Sequence, residues 1–479
     1  MSGPRDIRIK QAPVQLMMMR NLTRRSFLAA SAAAAAGPAM TASSLAAPSS
    51  LSEADIVVVG AGPAGIAAAR KCVAGGRRVV VLEAAERIGG RCFTDNAIFG
   101  VPYDRGAHWL HMPDINPVAK TTMTSGLDVY AAPPGQKMRI GRRNAREGEM
   151  EEFFAALVRA HRAIGDAGRG KSDVASVQAL PRDLGEWRPT VDFVLGPFGC
   201  GKDLRDVSAL DFSKSLERDV DAFCRQGLGA LVLRLAGGLP IQLSSPVTRI
   251  ESLARGRVDV VTARGRIAAQ AVIVTASTGL IAAGKIKLDP EPKRQLEAAS
   301  KLTLGSYDHV ALELGGNPLG LQRDELVYEK ADGTRTAAML ANVSGTSLCM
   351  IEVAGKFGRD LSSQGEPAMT AFALDWLTAL YGADVKKTVG RTHATRWNED
   401  PWALGAFSAA PPGSQPMRRT MMESFRERIW FAGEAAHETQ WGTVGGAWES
   451  GERAAEAALR LFRPAPAPRK NAQPRQRDR

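Results

Sequence analysis

Residues 55–65 read DIVVVGAGPAG, a short run of mostly β-branched apolar residues that ends in a glycine-rich turn. A helical stretch follows over 66–73, and a second apolar run, RVVVLE, occupies 78–83. Strand, glycine turn, helix and strand in this order predict a βαβ unit with two parallel strands, of the kind that binds a dinucleotide. The fold class is therefore predicted to be α/β.

The glycines of this turn have different physical roles. Gly60 permits the tight turn, Gly62 lets the backbone approach a pyrophosphate, and Gly65 lets the helix pack closely on the strand. The helix N-terminus, which includes Ala64, offers amide groups and a partial positive charge. Glu83 ends the second strand, where its carboxylate can accept hydrogen bonds from an adenosine ribose. These five residues are predicted to bind the cofactor.

Length and charge exclude several other classes of protein. A chain of 479 residues is long enough for two to three domains. The net charge is +12, but residues 1–25 and 463–479 each carry +5, so the body between them carries only +2. Charge confined to the termini does not form a phosphate-binding groove, so no nucleic-acid partner is predicted. The five cysteines form no C-x-x-C pair and lack histidines at ligand spacing, so no metal site is predicted.

The N-terminal residues 1–46 resemble a twin-arginine signal peptide. Arg24 and Arg25 precede an apolar stretch over 27–36 that would span about 15 Å as a helix, half of a bilayer's hydrocarbon core, so no membrane anchor is predicted. The resemblance implies the twin-arginine export machinery as a partner and a periplasmic or secreted location. A disordered Ala-rich leader is the alternative. The Pro-rich basic tail, 463–479, is predicted to be disordered.

The residues that follow Glu83 resemble those of a known family. The sequence EAAERIGGR at 83–91 resembles the extended glycine and arginine fingerprint of the flavin-containing amine oxidases, which bind FAD. RIWFAGE at 428–434 and GTVGGAWESG at 442–451 are similar to the closing FAD motif of that family. The resemblance spans roughly 55–461. It implies that further FAD contacts come from Gly89, Gly90, Arg91, Gly106, Ala107, Val247, Gly433, Glu434, Thr443 and Val444.

The resemblance also implies an architecture and a chemistry. It implies a Rossmann-like FAD-binding domain in three segments and an α+β substrate domain, with a helix predicted over 151–164 as a cap. Family members oxidise an amine to an imine, which hydrolyses to an aldehyde or ketone. The predicted segments are 53–112, 216–285 and 395–462 for FAD, and 113–215 and 286–394 for substrate. The substrate pocket is expected to contain Trp109, His111, His309, Phe407, Trp441 and Thr443.

The sequence departs from the family pattern at three places. His309 stands where members usually have a lysine that assists the reaction with oxygen, so the electron acceptor is expected to be oxygen or a soluble redox protein such as a cytochrome. Thr443 replaces one of the two tyrosines that commonly enclose the amine, and Trp441 is a possible substitute. No cysteine lies near Phe407 in the sequence, so FAD is expected to be noncovalent.

Two other functions remain open from the sequence. An L-amino-acid oxidase needs an arginine for the substrate carboxylate, and Trp109 occupies the usual position of that arginine. Arg105 is close enough in the sequence to take this role. An exported flavoprotein with structural FAD and no turnover is the second alternative, and the altered lysine position, His309, is its only support.

Overall fold

The computed structural model describes residues 52–121, 126–215 and 220–462. The signal peptide predicted for 1–46 and the tail predicted for 463–479 lie outside this part of the chain. In order, the strands are β1 (Ile56–Val59), β2 (Val79–Leu82), β3 (Thr94–Asp95), β4 (Tyr103–Asp104), β5 (Leu110–His111), β6 (Val129–Ala131), β7 (Lys137–Ile140), β8 (Arg143–Asn144), β9 (Asp221–Cys224), β10 (Ile241–Gln242), β11 (Val247–Ser252), β12 (Val258–Thr262), β13 (Gly265–Ala269), β14 (Ala271–Val274), β15 (Lys287–Asp289), β16 (Tyr307–Leu314), β17 (Glu325–Glu329), β18 (Ala338–Ala341), β19 (Leu348–Ala354), β20 (Val389–Ala394) and β21 (Ile429–Phe431).

Helices connect and cover these strands. They are α1 (Pro63–Ala74), α2 (Pro117–Lys120), α3 (Glu147–Gly168), α4 (Ser176–Ala179), α5 (Arg188–Phe193), α6 (Ala209–Lys214), α7 (Leu228–Leu235), α8 (Thr278–Ala282), α9 (Lys293–Lys301), α10 (Gly355–Ser363), α11 (Glu366–Tyr381), α12 (Met417–Met422) and α13 (Val444–Leu459). Short 3₁₀ turns lie at Gly185–Trp187, Leu204–Asp206, Ala254–Gly256, Val343–Gly345, Ala383–Thr388, Glu434–Ala436 and Arg460–Phe462, and a π-helical turn lies at Val194–Phe198.

The predicted βαβ unit forms the centre of a five-stranded parallel sheet with the order β10-β2-β1-β14-β21. Every residue of β1 and β2 is buried, as expected for strands of a parallel sheet that is covered on both faces. The carboxyl ends of parallel strands meet at one edge of the sheet. Gly60, Glu83, Thr275 and Gly433 follow four of these ends within two residues. The predicted α/β class is confirmed.

Helices α1 and α13 pack against each other on one face of this sheet. Gly451 makes their close approach possible, since a Cβ there would lie 2.0 Å from the carbonyl oxygen of Ala64. Helix α13, near the end of the described chain, therefore packs on α1, the first helix. Both helices begin at the carboxyl edge of the sheet.

A second, seven-stranded sheet has the order β20-β16-β19-β18-β17-β7-β8. Its pairs are antiparallel except for β17 with β7. Side chains of β16 alternate, so that Val310, Leu312 and Leu314 pack in the core with α11, while Tyr307 and His309 face the opposite side. Smaller sheets join β13-β12-β11-β15, β5-β9-β6 and β3-β4.

The predicted cap helix is α3, which extends beyond the expected range at both ends. Its first turn is held by the Glu149 carboxylate, which accepts a hydrogen bond of 2.7 Å from the Arg146 amide. Phe153 and Ile164 are buried. Phe154 is 41% exposed, because the buried side of the helix continues through Ala156 and Ala160 between Phe153 and Ile164.

Two general expectations can be compared with the described ranges. Among those residues, no helix combines the length and the apolar character needed to cross a bilayer. All five cysteines are buried free thiols.

Candidate cofactor and active site

A cavity of about 1800 Å³ opens at the carboxyl edge of the parallel sheet and extends to the seven-stranded sheet. Sites for one small ligand usually measure about 300–1,000 Å³, so this cavity has room for a dinucleotide and a second molecule. The predicted residues that line it are Gly60, Gly62, Ala64, Glu83, Gly90, Arg91, Gly106, Ala107, Trp109, His111, Val247, His309, Phe407, Gly433, Glu434, Trp441, Thr443 and Val444.

The glycine turn after β1 borders the cofactor end of the cavity. Gly60 has a φ of +102°, and a Cβ there would lie 2.6 Å from the Thr275 hydroxyl oxygen. A Cβ on Gly65 would lie 1.9 Å from the carbonyl oxygen of Gly60, which is the close helix–strand packing that the motif predicts. Gly62 differs, because the nearest protein atom to a Cβ there is the Gly89 carbonyl oxygen at 3.9 Å. The space before Gly62 therefore belongs to the cavity.

Gly65 and Gly89 are not among the lining residues. Gly89 has a φ of +107° and donates its amide to the carbonyl oxygen of Ala61 at 2.9 Å. A Cβ on Gly89 would lie 2.2 Å from the Cys92 carbonyl oxygen. Gly89 therefore shapes the turn, and Gly90 and Arg91 reach the cavity; the expected approach of the Gly89 backbone to the phosphates stays a prediction.

Glu83 is buried and orients the glycine turn. Its Oε2 accepts a hydrogen bond from the Ala61 amide at 2.7 Å, and its Oε1 accepts one from the Ala85 amide at 2.8 Å. Burial raises the pKa of Glu83, although both amide bonds favour the ionised form. Each oxygen keeps a second lone pair, so the carboxylate can also accept bonds from a ribose.

Arg91 and Glu434 meet across the cavity wall at 3.0 Å. Arg91 also donates to the carbonyl oxygen of Ala406. Glu434 accepts bonds from the Ser408 hydroxyl at 2.7 Å and from the Gly442 amide at 3.1 Å. The two motifs that resemble the family at opposite ends of the chain thus meet in one polar cluster.

This cluster continues away from the cavity into a fully buried ion pair. Arg418 donates to the hydroxyl oxygen of Ser408 at 3.2 Å and forms two bonds of 2.7 Å with Asp211. The guanidinium carbon also lies 4.8 Å from the ring centroid of Trp441. The sequence analysis missed both Arg418 and Asp211, since neither belongs to a recognised motif.

Thr443 has a structural role that the sequence analysis did not assign. It is the N-cap of α13: its hydroxyl accepts a bond from the Gly446 amide at 2.9 Å and donates to the Gln440 carbonyl oxygen at 2.8 Å. Thr443 also lines the cavity, so its expected place in the substrate pocket stays a prediction, while its hydroxyl is used by the cap. The cap fixes the N-terminus of α13 at the cavity, where the helix end carries partial positive charge.

His309 lies on β16, the second strand of the seven-stranded sheet, with its side chain towards the cavity. Its Nδ1 donates to the carbonyl oxygen of Asp104 at 3.1 Å, so the neutral ring carries its proton on Nδ1 and Nε2 is an acceptor. Burial lowers the pKa of His309 to about 4. The imidazole is therefore neutral at physiological pH, in agreement with the expectation from the sequence.

Aromatic rings form the wall around His309. The Tyr307 ring centroid lies 5.9 Å from that of Phe407 and also 5.9 Å from that of His309. Phe198 packs between Tyr307 and Tyr328, with centroid distances of 6.1 Å and 5.4 Å. The sequence analysis missed Tyr307, Phe198 and Tyr328. Only Tyr307 had a detectable signal, since it lies two residues before His309 on the same face of β16.

The Phe407 ring is held between two glycines. A Cβ on Gly201 would lie 3.2 Å from the ring and one on Gly442 would lie 3.0 Å from it, and both glycines have positive φ values. Main-chain bonds tie both Gly201 and Phe407 to the segment before β16: the Ser306 amide donates to the Gly201 carbonyl oxygen at 2.9 Å, and the Gly305 amide donates to the Phe407 carbonyl oxygen at 2.7 Å.

The other expected substrate residues occupy separate parts of the wall. Trp109 packs on Phe223 with a centroid distance of 4.8 Å, and His111 pairs through Nδ1 with Asp221 at 2.7 Å. Trp441 is only 1% exposed and its indole nitrogen donates to the carbonyl oxygen of Asp211 at 3.3 Å. Trp441 therefore supports the wall next to Phe407 more than it faces the open cavity.

Two cysteines also line the cavity, which the sequence positions did not reveal. Burial raises the pKa of Cys92 to about 12, so its thiol is protonated and a weak nucleophile. Cys200 donates its thiol to the Leu195 carbonyl oxygen at 3.2 Å. Within the described ranges, no group of three or more His, Cys, Asp or Glu side chains is arranged to hold a metal ion.

A glycine cradle at a helix N-terminus, a buried carboxylate after the second strand and a large second compartment define a dinucleotide-binding oxidoreductase. Comparisons with known proteins specify the family. The family model described as flavin containing amine oxidoreductase matches residues 166–459, and that of the NAD(P)-binding Rossmann-like domain matches 58–125. The chain belongs to the flavin-containing amine oxidoreductases, and its cofactor is FAD.

Individual relatives are distant but cover most of the chain. Lysine-specific histone demethylase 2 of Homo sapiens is 26% identical over 84% of this chain and 53% of its own length. The chain thus spans about half the length of this relative. Polyamine oxidase 4 of Oryza sativa subsp. japonica is 26% identical over 85% of this chain and 88% of its own. A redesigned putrescine oxidase structure has a TM-score of 0.73 at 18% identity, covering 85% of this chain and 99% of that one.

The residues present fit this cofactor. The space in front of Gly62 is open, as the close approach of a pyrophosphate to the backbone requires. Glu83 can still accept hydrogen bonds from a ribose. Val247, Thr443 and Val444 also line the cavity and would hold FAD together with these residues.

Proposed function

We propose that this protein oxidises a small amine to an imine, which water then hydrolyses to an aldehyde or ketone. FAD, when bound, supplies the acceptor for the hydride equivalent that leaves the carbon next to nitrogen. The observation that carries the proposal is the aromatic wall of Tyr307, Phe407 and Phe198 around a neutral His309, at the end of the cavity opposite the glycine cradle.

The chain's own residues bind and orient the substrate in this proposal. The rings of Tyr307 and Phe407, which pack against each other, form an apolar wall on which an amine rests and from which water is excluded. The Nδ1 bond to the Asp104 carbonyl fixes the His309 ring, so that Nε2 offers an acceptor to an amine N–H. The names of the relatives, polyamine oxidase and putrescine oxidase among them, support an amine as substrate.

Oxidation of L-amino acids is less well supported. Arg105, the candidate for the substrate carboxylate, pairs with Asp95 at 3.6 Å, and its guanidinium carbon lies 4.9 Å from the ring centroid of Phe93. Arg105 is not among the residues that line the cavity, so it offers no cation to a bound carboxylate.

An anaerobic substrate screen tests the proposed function. Purified holoprotein is mixed with monoamines, diamines, polyamines and L-amino acids, and the visible flavin absorbance is followed. Bleaching by an amine supports the proposal, and bleaching by amino acids alone would favour the carboxylate alternative. If dithionite bleaches the flavin and no amine does, the protein is a structural flavoprotein. A Phe407→Ala variant should need more amine for the same bleaching.

We propose that FAD is held without a covalent bond. The protonated Cys92 thiol and the engaged Cys200 thiol support this. Acid precipitation of the holoprotein should release all flavin into the supernatant, and flavin retained on the precipitated chain would contradict the proposal.

We also propose export by the twin-arginine route and, with it, a periplasmic or secreted location. The support is the sequence around Arg24 and Arg25. Replacing both with lysine should leave active holoprotein in the cytoplasm, since an export receptor reads the pair. We propose oxygen or a soluble redox protein, such as a cytochrome, as the electron acceptor. The redox protein is proposed because the enzyme is expected to be exported, so unchanged export of the lysine variant would remove the support for a redox-protein acceptor.

A further inference from the structure

Behind the aromatic wall lies a carboxyl group that no part of the proposed function uses. Glu352 is on β19, directly opposite His309 of β16, and its side chain is fully buried. Its Oε2 accepts a hydrogen bond of 2.5 Å from the hydroxyl of Tyr307, while its Oε1 has no hydrogen-bond partner within 3.5 Å and the Trp109 indole is the other polar neighbour of the carboxyl. Among the described residues, no lysine or arginine forms an ion pair with it. A buried carboxyl without a cation needs an explanation.

The question is how an amine reaches the site in the form that reacts. Aliphatic amines resemble the lysine side chain, with a pKa of about 10.4, so nearly all of the substrate is an ammonium ion near neutral pH. Only the neutral amine, with its free electron pair on nitrogen, can lose a hydride from the adjacent carbon. The site must therefore attract a cation and then remove a proton from it.

We propose that Glu352 is the negative charge that lets the site take its substrate as an ammonium ion, and that the Tyr307 hydroxyl conveys to Glu352 the proton which the amine must lose. In this step an N–H bond of the ammonium ion breaks, the nitrogen keeps the electron pair, and the proton bonds to the Tyr307 oxygen. The phenol proton moves at the same time to Oε2 of Glu352. The inference rests on the proposed amine oxidation.

The electrostatics of the neighbourhood support this assignment. Burial raises the pKa of Glu352 to about 7, so the carboxyl is ionised above neutral pH and still a good enough base to hold a proton. The other titratable groups that face it are His309 in β16, Tyr328 in the same row of the sheet, and His108, which pairs with Asp104 at 2.8 Å.

Two of those neighbours, His309 and Tyr328, are poorer proton acceptors. The pKa of His309 is lowered to about 4, so it does not take the proton from an amine. The pKa of Tyr328 is raised well above its usual value by burial, so this phenol stays neutral. Tyr307 lines the cavity, and its hydroxyl donates a hydrogen bond to Glu352. A proton can therefore pass from the substrate compartment to the Glu352 carboxyl through the Tyr307 hydroxyl.

The test compares the wild-type holoenzyme with Glu352→Gln, which keeps a hydrogen-bonding group beside Tyr307 but removes the charge. Amine binding to dithionite-reduced enzyme, in which no oxidation follows, is measured by calorimetry at about pH 8 to 10. The wild type should bind with a dissociation constant that changes less than about threefold. The variant should bind only neutral amine, so its apparent dissociation constant should rise roughly 100-fold from about pH 10 to about pH 8.

The number of protons released per bound amine is a second measurement, which would not change if Glu352 had only a structural role. Calorimetry at about pH 8.5 in buffers of different ionisation enthalpy should show no proton release for the wild type and release of about one proton per amine for Glu352→Gln. The matched control is Glu329→Gln: Glu329 is a partly buried carboxyl that accepts a bond from an aromatic side chain, Trp376 at 2.7 Å, but neither of its bonded partners, Trp376 and Thr336, lines the cavity. It should behave as the wild type.

The Tyr307→Phe variant keeps the negative charge of Glu352 but removes the hydroxyl through which the proton would reach it. It should bind amine without proton release, because Glu352 keeps its charge, but its flavin should be reduced at least tenfold more slowly at saturating amine. Identical pH profiles and proton counts for wild type and Glu352→Gln would overturn the inference, even with active enzyme. If no amine reduces the flavin of the wild type at any pH, the proposed function fails instead.

Discussion

Arg418 and Asp211 form two hydrogen bonds of 2.7 Å with each other, and both side chains are completely shielded from solvent. Asp211 belongs to α6 and Arg418 belongs to α12, so the two residues lie far apart in the sequence. Through Ser408 the pair reaches Glu434 at the cavity. A single buried network therefore joins the segment beside the cavity to the cofactor motif.

Replacing Arg418 with methionine should destabilise the protein by about 3–5 kcal/mol, because the Asp211 carboxylate would be left buried without its cation. Urea unfolding of the holoprotein and the apoprotein measures this loss. The neighbouring Arg419→Met is the control: Arg419 pairs with Glu438 at the surface, and its loss should cost less than about 1 kcal/mol. Equal effects of the two variants would show that the buried pair adds nothing.

Gly62→Val should give a folded protein without flavin. The nearest protein atom to a Cβ at this position lies 3.9 Å away, so the protein tolerates the side chain while the cofactor loses its approach to the backbone. The measurements are the ratio of flavin to protein absorbance and the circular dichroism spectrum. Gly65→Val, whose Cβ would lie 1.9 Å from a carbonyl oxygen, should fail to fold. A yellow Gly62→Val protein would contradict the assignment.

His309→Lys should speed the reoxidation of the reduced holoenzyme by oxygen. The wild-type imidazole, with its pKa lowered to about 4, brings no positive charge to the cavity. A lysine there would stay protonated near pH 7 even if burial lowered its pKa by about 3 units, and a cation favours the negative charge that develops when oxygen is reduced. Stopped-flow mixing with oxygen measures the rate, and His309→Ala should resemble the wild type. Equal rates for all three would place the His309 side chain away from the reaction.

Glu352 and His309 should affect stability with opposite dependence on pH. Glu352 has a raised pKa, so its contribution is lost as pH rises from about 4.5 to 7; His309 has a lowered pKa, so its contribution is lost as pH falls from about 6.5 to 4. Each effect amounts to about 3 kcal/mol and they oppose each other in the wild type. The unfolding free energy of Glu352→Gln, measured relative to that of the wild type, should therefore increase by about 3 kcal/mol between about pH 4.5 and pH 7, because all other titrating groups are common to both proteins. Urea unfolding of both apoproteins at several pH values tests this, and a difference that does not change with pH would refute it.

The sequence predicted the parts of the fold that local physics determines. The glycine turn at 60–65 needs positive φ and close packing, and the apolar runs around it are long enough to identify β1 and β2. The segment 151–164 was predicted as a helix, but its ends at Glu147 and Gly168 were not. Those ends depend on a hydrogen bond from the Arg146 amide and on close packing of Gly168 against Ala209.

The candidate site could be predicted only where its residues belong to motifs. Phe198 lies in a π-helical turn and Glu352 in a buried strand, and neither position has a local pattern that indicates a cavity. Their significance comes from strand register, which places Glu352 opposite His309, and no single-sequence argument determines that register. Thr443 belongs to a motif and lines the cavity, but the motif did not reveal that its hydroxyl also caps a helix.

The position of Phe407 between Gly201 and Gly442 has a consequence for how this enzyme could acquire new substrates. Both glycines have left-handed backbone conformations, so any other residue there would be strained and would also push against the ring. Substitutions at these two glycines therefore cannot reposition the Phe407 ring, and the wall that the ring forms keeps its position. Variation in the size of accepted amines should therefore arise on the facing side, at Tyr328, Phe198 and Trp109, which makes these three positions the place to direct a library for altered selectivity.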